Sequence, residues 1–292
     1  MPVIERVDYK YNKKETLDFE IAGLQHFYAT RPRQSIERDN RINFWVILYI
    51  IEGHGYHNID FHKYYYKSGD IIIVQKNQVH SFLINPEVKG YIIHINEPFF
   101  YSTKGVDGDS FLEYIDQSYG SPIVSADASL ESTNRTLIEL IYKEYSKFAG
   151  PSSYRFLSSL FESFILSIQS PMSSKESIYN SKLYVNFSEF RNLVEENYIY
   201  HKTVTEYSEM MKLSKKTINQ STRAVAGLSA KQYISNRLLL EIKRYLSQGD
   251  LLNYEIANLL GFEEASNMTN FFKRYEGISP KEFKERRSRK TL

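Results

Sequence analysis

Apolar and polar residues change period twice along the chain. Between residues 44 and 95 they come as short β-branched and aromatic blocks separated by turn residues. Residues 44–51 (FWVILYII) open the series, with Glu52-Gly53 and Gly55 as the first turn signal. Residues 56–61, 64–66, 71–74, 80–84 and 91–95 follow, with Ser68-Gly69-Asp70 as a further turn. Such blocks, with no helical stretch between them, predict an antiparallel β domain, a sandwich or barrel. From about residue 130 the period lengthens to that of a helix. Leu137, Ile141, Tyr145 and Phe148 make one stripe; Phe156, Leu160, Phe164 and Ile168 continue it in a second helix opened by Pro151. Two such helices either cover the β domain or form a dimer seam, and periodicity alone does not choose between them.

Residues 170–181 (SPMSSKESIYNS) are polar and serine-rich, the composition of a linker. Beyond them every segment is helical and clearly punctuated. Thr203 with Glu206, and Ser279 with Glu282, have the spacing of capping boxes, while Ser214 and Ser229 are further N-caps. Gly227, Gly249, Gly261 and Gly277 stand where helices should stop. The predicted helices are 184–198, 204–211, 215–226, 230–247, 254–260, 265–276 and 280–287. The domains expected are therefore a β-rich domain with two helices over 1–169, a linker over 170–181 and an all-helical domain over 182–292.

The last part contains a diverged repeat. Gly227 and Gly277, Ser229 and Ser279, Lys231 and Lys281, Tyr233 and Phe283, and Arg237 and Arg287 are each 50 apart. Upstream the offset is 49, pairing Ser208 with Ala257, Met211 with Leu260 and Leu213 with Phe262, so one residue is inserted at the second turn. A short helix, a tight turn and a second helix with a polar face form a helix-turn-helix. In the first unit Ile218 and Val225 face the core, leaving Lys215, Lys216, Thr217, Asn219, Gln220 and Arg223 outside. In the second, Met268, Phe271, Phe272 and Tyr275 face inward and Ser266, Asn267, Thr269, Asn270, Lys273 and Arg274 outward. Lysine and arginine neutralise phosphates, and asparagine or glutamine can pair with adenine edges. One such face would be no more than a solvated helix surface; two with matched caps and glycines point to duplex DNA.

Charge supports the division. Residues 182–292 carry 19 Lys and Arg against 13 Asp and Glu, a balance of +6, whereas residues 1–181 stand at −4. A basic tail behind an acidic head suits a polyanionic partner for the tail. The chain has no cysteine, which excludes disulfides and thiolate metal sites. No signal peptide opens it, and no apolar run reaches the roughly 18 residues of a membrane helix, so a cytoplasmic protein is expected. No nucleophile–base constellation or phosphate-binding loop is present, so no enzyme is expected.

The run IANLLGFEEASNMTNFFKRYEGISPKEFKERR, residues 256–287, closely resembles the signature of the AraC/XylS family of bacterial transcription regulators. It carries Ile256-Ala257, Gly261-Phe262, Phe272-Lys273 and Gly277-Ile278-Ser279-Pro280 at the family's spacings, and the resemblance covers about 182–290. It implies two helix-turn-helix subdomains joined by a long helix near 230–247, entering successive major grooves at promoter sites. By position, Lys216, Asn219 and Gln220, then Ser266, Asn267 and Asn270, would read bases, with Arg223 and Lys273 on phosphates. Met268 stands where the family has an aromatic residue or leucine and Asn270 where arginine is frequent, leaving the second helix no arginine for guanine.

The front is similar to the family's cupin-type sensor. Gly69-Asp70-Ile-Ile-Ile-Val-Gln75-Lys-Asn77-Gln-Val-His80 follows the second cupin motif, departing at Gln75 and Asn77. His54, His57 and His62 form no His-x-His, so the ligand count argues against a metal enzyme and no cofactor is expected. The fold class is α+β multidomain: a cupin-like β-barrel with following helices, then a pair of helix-turn-helix subdomains. Trp45, Tyr49, Tyr56, His80, Tyr91 and His94 are the candidates for an effector pocket, with alternate residues of a barrel strand taken to point inward. The partners expected are promoter DNA, a small-molecule effector, a second copy of the chain and RNA polymerase. In an alternative reading the barrel binds no metabolite and only dimerises or receives a protein.

Overall fold

The computed structural model describes residues 5–8, 17–96, 98–99, 122–125, 129–148, 150–169, 181–249 and 251–290. The chain divides into two compact units, Glu5–Ser173 and a second over Ser174–Leu292. All of the expected linker except Ser181 lies outside the described residues. Ser181 caps a helix, its hydroxyl accepting from Tyr184 N.

The first unit begins with β1 (Glu5–Val7), β2 (Phe19–Gly23), α1 (Leu24–Thr30), α2 (Arg33–Glu37) and β3 (Asn40–Ile42). Then come β4 (Trp45–Glu52), β5 (His54–Ile59), β6 (His62–Lys67), β7 (Asp70–Val74), β8 (Val79–Leu83), β9 (Lys89–Ile95) and β10 (Ile123–Ser125). A helical pair closes it, α3 (Glu131–Ser146) and α4 (Pro151–Gln169). One sheet has the order β1-β3-β8-β5-β6 and the other β10-β7-β4-β9-β2. The expected barrel is thus two open five-stranded sheets, antiparallel except where β1 runs parallel to β3. The turn expected at Glu52-Gly53 and Gly55 is made by Gly53, at φ 92°, while Gly55 lies within β5 under the Tyr66 ring.

The central strand β4 decides the layering. Val46, Leu48 and Ile50 belong to the core that also holds Ile59, Tyr66, Phe82 and Ile92, between the two sheets. Ile47 and Tyr49 face the other way, packing with Ile71, Ile73, Ile93 and Ile95 against Ile138, Ile141, Leu157, Phe161, Phe164 and Ile168 of α3 and α4. The two helices are therefore a covering layer for the second sheet. The expected stripes join this core: Ile141, Tyr145, Phe164 and Ile168 are buried and Leu137, Phe148 and Leu160 pack against them, whereas Phe156 is exposed and Ile138 and Leu157 are buried in addition.

The second unit contains α5 (Lys182–Asn197), α6 (Val204–Met210), α7 (Lys215–Ala226), α8 (Ala230–Gln248), α9 (Asn253–Leu259), α10 (Ala265–Glu276) and α11 (Pro280–Lys290). Both capping boxes form, Thr203 with Glu206 and Ser279 with Glu282, and Ser214 and Ser229 cap α7 and α8. Around the first pair the core is Phe187, Phe190, Val194, Tyr207, Met211, Ile218, Tyr233 and Ile234. The central helix α8 braces both sides. Arg237 reaches Glu195 at 2.7 Å and Glu241 at 3.0 Å, Lys243 reaches Glu276 at 3.1 Å, and Tyr275 donates to Ser235 at 2.8 Å.

Candidate nucleic-acid interface and sensor core

Helices α6 and α7 form the first helix-turn-helix, and α9 and α10 the second. The turns span 211–214 and 260–264, so the second is one residue longer, as the drop in repeat offset requires. Lys212 at φ 51° and Gly261 at φ 62° are equivalent residues of these turns, both left-handed. Each second helix buries one face: Ile218, Ser221 and Thr222 in α7, Met268 and Phe272 in α10.

The opposite faces match at four positions. On α7 the exposed residues include Lys215, Lys216, Gln220, Arg223 and Ala224; on α10 they are Ser266, Asn267, Asn270, Lys273 and Arg274. Lys216 corresponds to Ser266, Gln220 to Asn270, Arg223 to Lys273 and Ala224 to Arg274, at an offset of 50. Both helices end on a left-handed glycine, Gly227 and Gly277. Arg274, placed on the outward face by sequence but given no contact role, puts a guanidinium in the last turn of this second face. Ser266 is tied to Glu264 at 2.8 Å.

Two expected contact residues are engaged within the fold. Thr217 is half-buried, its hydroxyl 2.8 Å from that of Ser214. Asn219 is also half-buried and uses both ends of its amide. It donates to Lys215 O at 2.9 Å and accepts from Ala230 N, the first amide of α8, at 3.1 Å. Asn219 thereby fastens the recognition helix to the connecting helix. Asn219→Ala is expected to lower the unfolding free energy by about 1–2 kcal/mol, the cost of orphaning a partly buried amide, with base preference retained. Denaturation and competition binding check this; lost preference with unchanged stability would make Asn219 a reader instead.

The six effector candidates do not gather in one place. Trp45, Tyr49 and Tyr91 lie on the helix-covered face of the second sheet. Burial pushes the Tyr49 phenol up to about 12, its hydroxyl 3.4 Å from Glu131 O. Tyr56 is exposed on the outside of the first sheet, beneath the Lys63 ammonium. Only His80 and His94 belong to the space between the sheets, where they adjoin residues that the sequence did not single out. His57 Nε2 lies 3.1 Å from His80 Nδ1, and Phe82 packs against both rings and against Phe27 and Tyr28. His94 meets Phe27, Phe44 and the Glu20 carboxylate.

Desolvation dominates this cluster. Burial, then the neighbouring His80, holds His57 well below the ordinary imidazole range. Burial, then His94, brings His80 down to about 3, against a smaller upward pull from Asp60. Burial likewise raises the Tyr28 and Tyr66 phenols. At neutral pH these groups are uncharged donors and acceptors set in apolar surroundings. Among the described residues, no three His, Asp or Glu side chains converge as a metal site would require.

A family model described as an AraC-like ligand binding domain matches residues 22–165, and one described as a helix-turn-helix domain matches residues 207–286. The chain belongs to the AraC family. As an AraC-type regulator it is a helix-turn-helix DNA-binding protein with an N-terminal ligand-binding domain. Among solved structures it is similar to ToxT from Vibrio cholerae, at 14% identity over 91% of this chain and 97% of that one, with a TM-score of 0.46. The C-terminal domain of the response regulator yesN from Fusobacterium nucleatum shows 29% identity over 32% of this chain and 93% of that one, with a TM-score of 0.30. The AraC-like activator CuxR shows 10% identity over 76% and 72%, with a TM-score of 0.29. No match was found among curated proteins. Among the described residues, no helix of this AraC-family chain is long and apolar enough to cross a membrane.

Proposed function

We propose that the protein reads a two-box promoter site through α7 and α10, and that an uncharged small molecule in the sensor unit controls it. The matched exposure of Lys216, Gln220 and Arg223 with Ser266, Asn270 and Lys273 carries this reading. Side chains near the start of each helix, Lys216, Gln220, Ser266, Asn267 and Asn270, meet base edges. Arg223, Lys273 and Arg274, in the last turns, meet phosphates. Hydroxyl-radical footprinting on a bound promoter duplex tests it. Two protected stretches on one DNA face, about one helical turn apart, are expected; a single stretch would contradict it.

The effector chemistry follows from the neutral cluster around His57, His80, Tyr28 and Tyr66. Hydroxyl or carbonyl groups on an apolar body would find donors and acceptors there. The rings packed about Phe82 favour a second reading, in which this core is filled for stability and the unit only pairs with protein. Dimerisation suits the outer face of α4, where exposed Ser152, Phe156, Ser159, Ser163 and Leu166 follow heptad spacing. We assign the protein to the cytoplasm, with RNA polymerase as a partner and no catalytic role.

A further inference from the structure

We propose that Lys202 and Gly261 form a latch between the two helix-turn-helix units, fixing the angle between α7 and α10 and so selecting the separation of the DNA boxes. This rests on the two-box reading above.

The loop between α5 and α6 is rigidly part of the first helix-turn-helix. The Glu206 carboxylate accepts from Thr203 N at 2.8 Å, the Thr203 hydroxyl at 2.6 Å and Lys202 N at 3.1 Å, and lies 3.1 Å from His201 Nδ1. The Tyr207 hydroxyl holds His201 O at 2.9 Å. These bonds bring the Glu206 carboxyl down to about 2, the Thr203 hydroxyl contributing most. From this loop the Lys202 ammonium donates to Gly261 O in the turn of the second helix-turn-helix and lies 4.9 Å from the centre of the Phe262 ring.

The repeat shows why residue 261 is glycine. Its equivalent, Lys212, adopts the same left-handed conformation with a side chain, so the backbone angle alone does not demand glycine. The difference is a neighbour. A Cβ at position 261 would lie 2.6 Å from Ile199 O, closer than such atoms approach. Glycine at the second turn thus lets the 199–202 loop dock, while the first turn leaves Lys212 exposed. Helix α8 joins the units along one axis; the latch adds a second attachment off that axis, which two rigid bodies need to hold a fixed angle.

The test uses the full-length protein with Lys202→Met, which keeps the aliphatic stem, and Lys202→Arg, which restores a donor. Probes are a two-box duplex selected from random DNA, the same duplex with the boxes moved apart by a single base pair, and one box alone. For Lys202→Met, affinity for the two-box duplex should fall about fivefold or more, the scale of a modest coupling between sites. The single box should be bound as before and the preference for native spacing should flatten, with Lys202→Arg recovering it. Equal losses on all three probes, with a shallower salt dependence, would make Lys202 a phosphate contact and overturn the latch. An unchanged spacing preference would overturn it as well. A selection that yields only one box would instead bring down the two-box reading, and the latch with it. Gly261→Ala should reproduce the spacing defect, and a melting curve separates this from loss of fold.

Discussion

Replacing Lys216 and Gln220 together by alanine is expected to remove most sequence preference while leaving weak, salt-sensitive DNA binding. Both side chains are exposed on the first recognition helix, one turn apart, and neither closes a contact on which the fold depends. Base contacts of this kind contribute about 1–3 kcal/mol each to discrimination, so losing two should weaken specific binding by about a hundredfold or more. Non-specific affinity rests on phosphate neutralisation, and Arg223, Lys273 and Arg274 remain. Anisotropy titrations against selected and scrambled duplexes, at two salt concentrations, give the ratio directly. An unchanged ratio would remove these residues from the reading face.

The second large effect is acid sensitivity of the sensor unit. His57 and His80 are kept neutral by burial, His80 down to about 3. In the unfolded chain both imidazoles take a proton near pH 6.5. Below that pH the unfolded state binds protons that the folded state refuses, so stability is complete above about 6.5 and falls on acidification towards 3. The slope is about 1.4 kcal/mol per pH unit for each such group, giving a loss on the order of 2 kcal/mol per histidine at pH 5. Trp45 is the chain's single tryptophan and lies buried in the same unit, so its fluorescence reports this unit alone. Urea midpoints should drop between pH 7 and pH 5, and His57→Gln with His80→Gln should flatten that dependence. An equally steep fall in the double variant would place the titration elsewhere.

The DNA-binding unit was largely legible in the sequence because its signals are local. Cap hydroxyls at Thr203, Ser214, Ser229 and Ser279, carboxylates at Glu206 and Glu282, and glycines at 227, 249 and 277 mark many of its helix boundaries without knowledge of the rest of the fold. The repeat then located the inserted residue of the second turn. Legibility ended where a side chain reaches a distant partner. Asn219 looks like a base reader, yet its amide is taken by Ala230 N, eleven residues away. Arg274 was placed on the outward face but given no contact role, because the resemblance carries none to that position; the repeat pairs it with exposed Ala224.

In the sensor unit the strands were visible but not their facing. Residues 45–50 are all buried, because β4 has the other sheet on one side and α3 and α4 on the other. A strand covered on both faces shows no alternation, so the choice of Trp45 and Tyr49 as inward-pointing had no parity to correct it. The His57–His80 pair depends on the register of β5 against β8, in which Ile59 stands opposite His80 and His57 opposite Phe82. That register is non-local, and a search for a His-x-His spacing cannot detect it. Strands β1, β2 and β10 are short edge elements beside long unpatterned stretches, which leaves them little hydrophobic signature.

Selection of binding sites from random duplex DNA by the full-length protein, near physiological salt, tests the central claim most directly. The expected result is one motif of two boxes about one helical turn apart, its first box lost in the Lys216→Ala, Gln220→Ala variant. Enrichment of no motif, or of a motif that this variant still selects unchanged, would contradict the assignment of the two exposed helix faces as the reading surface.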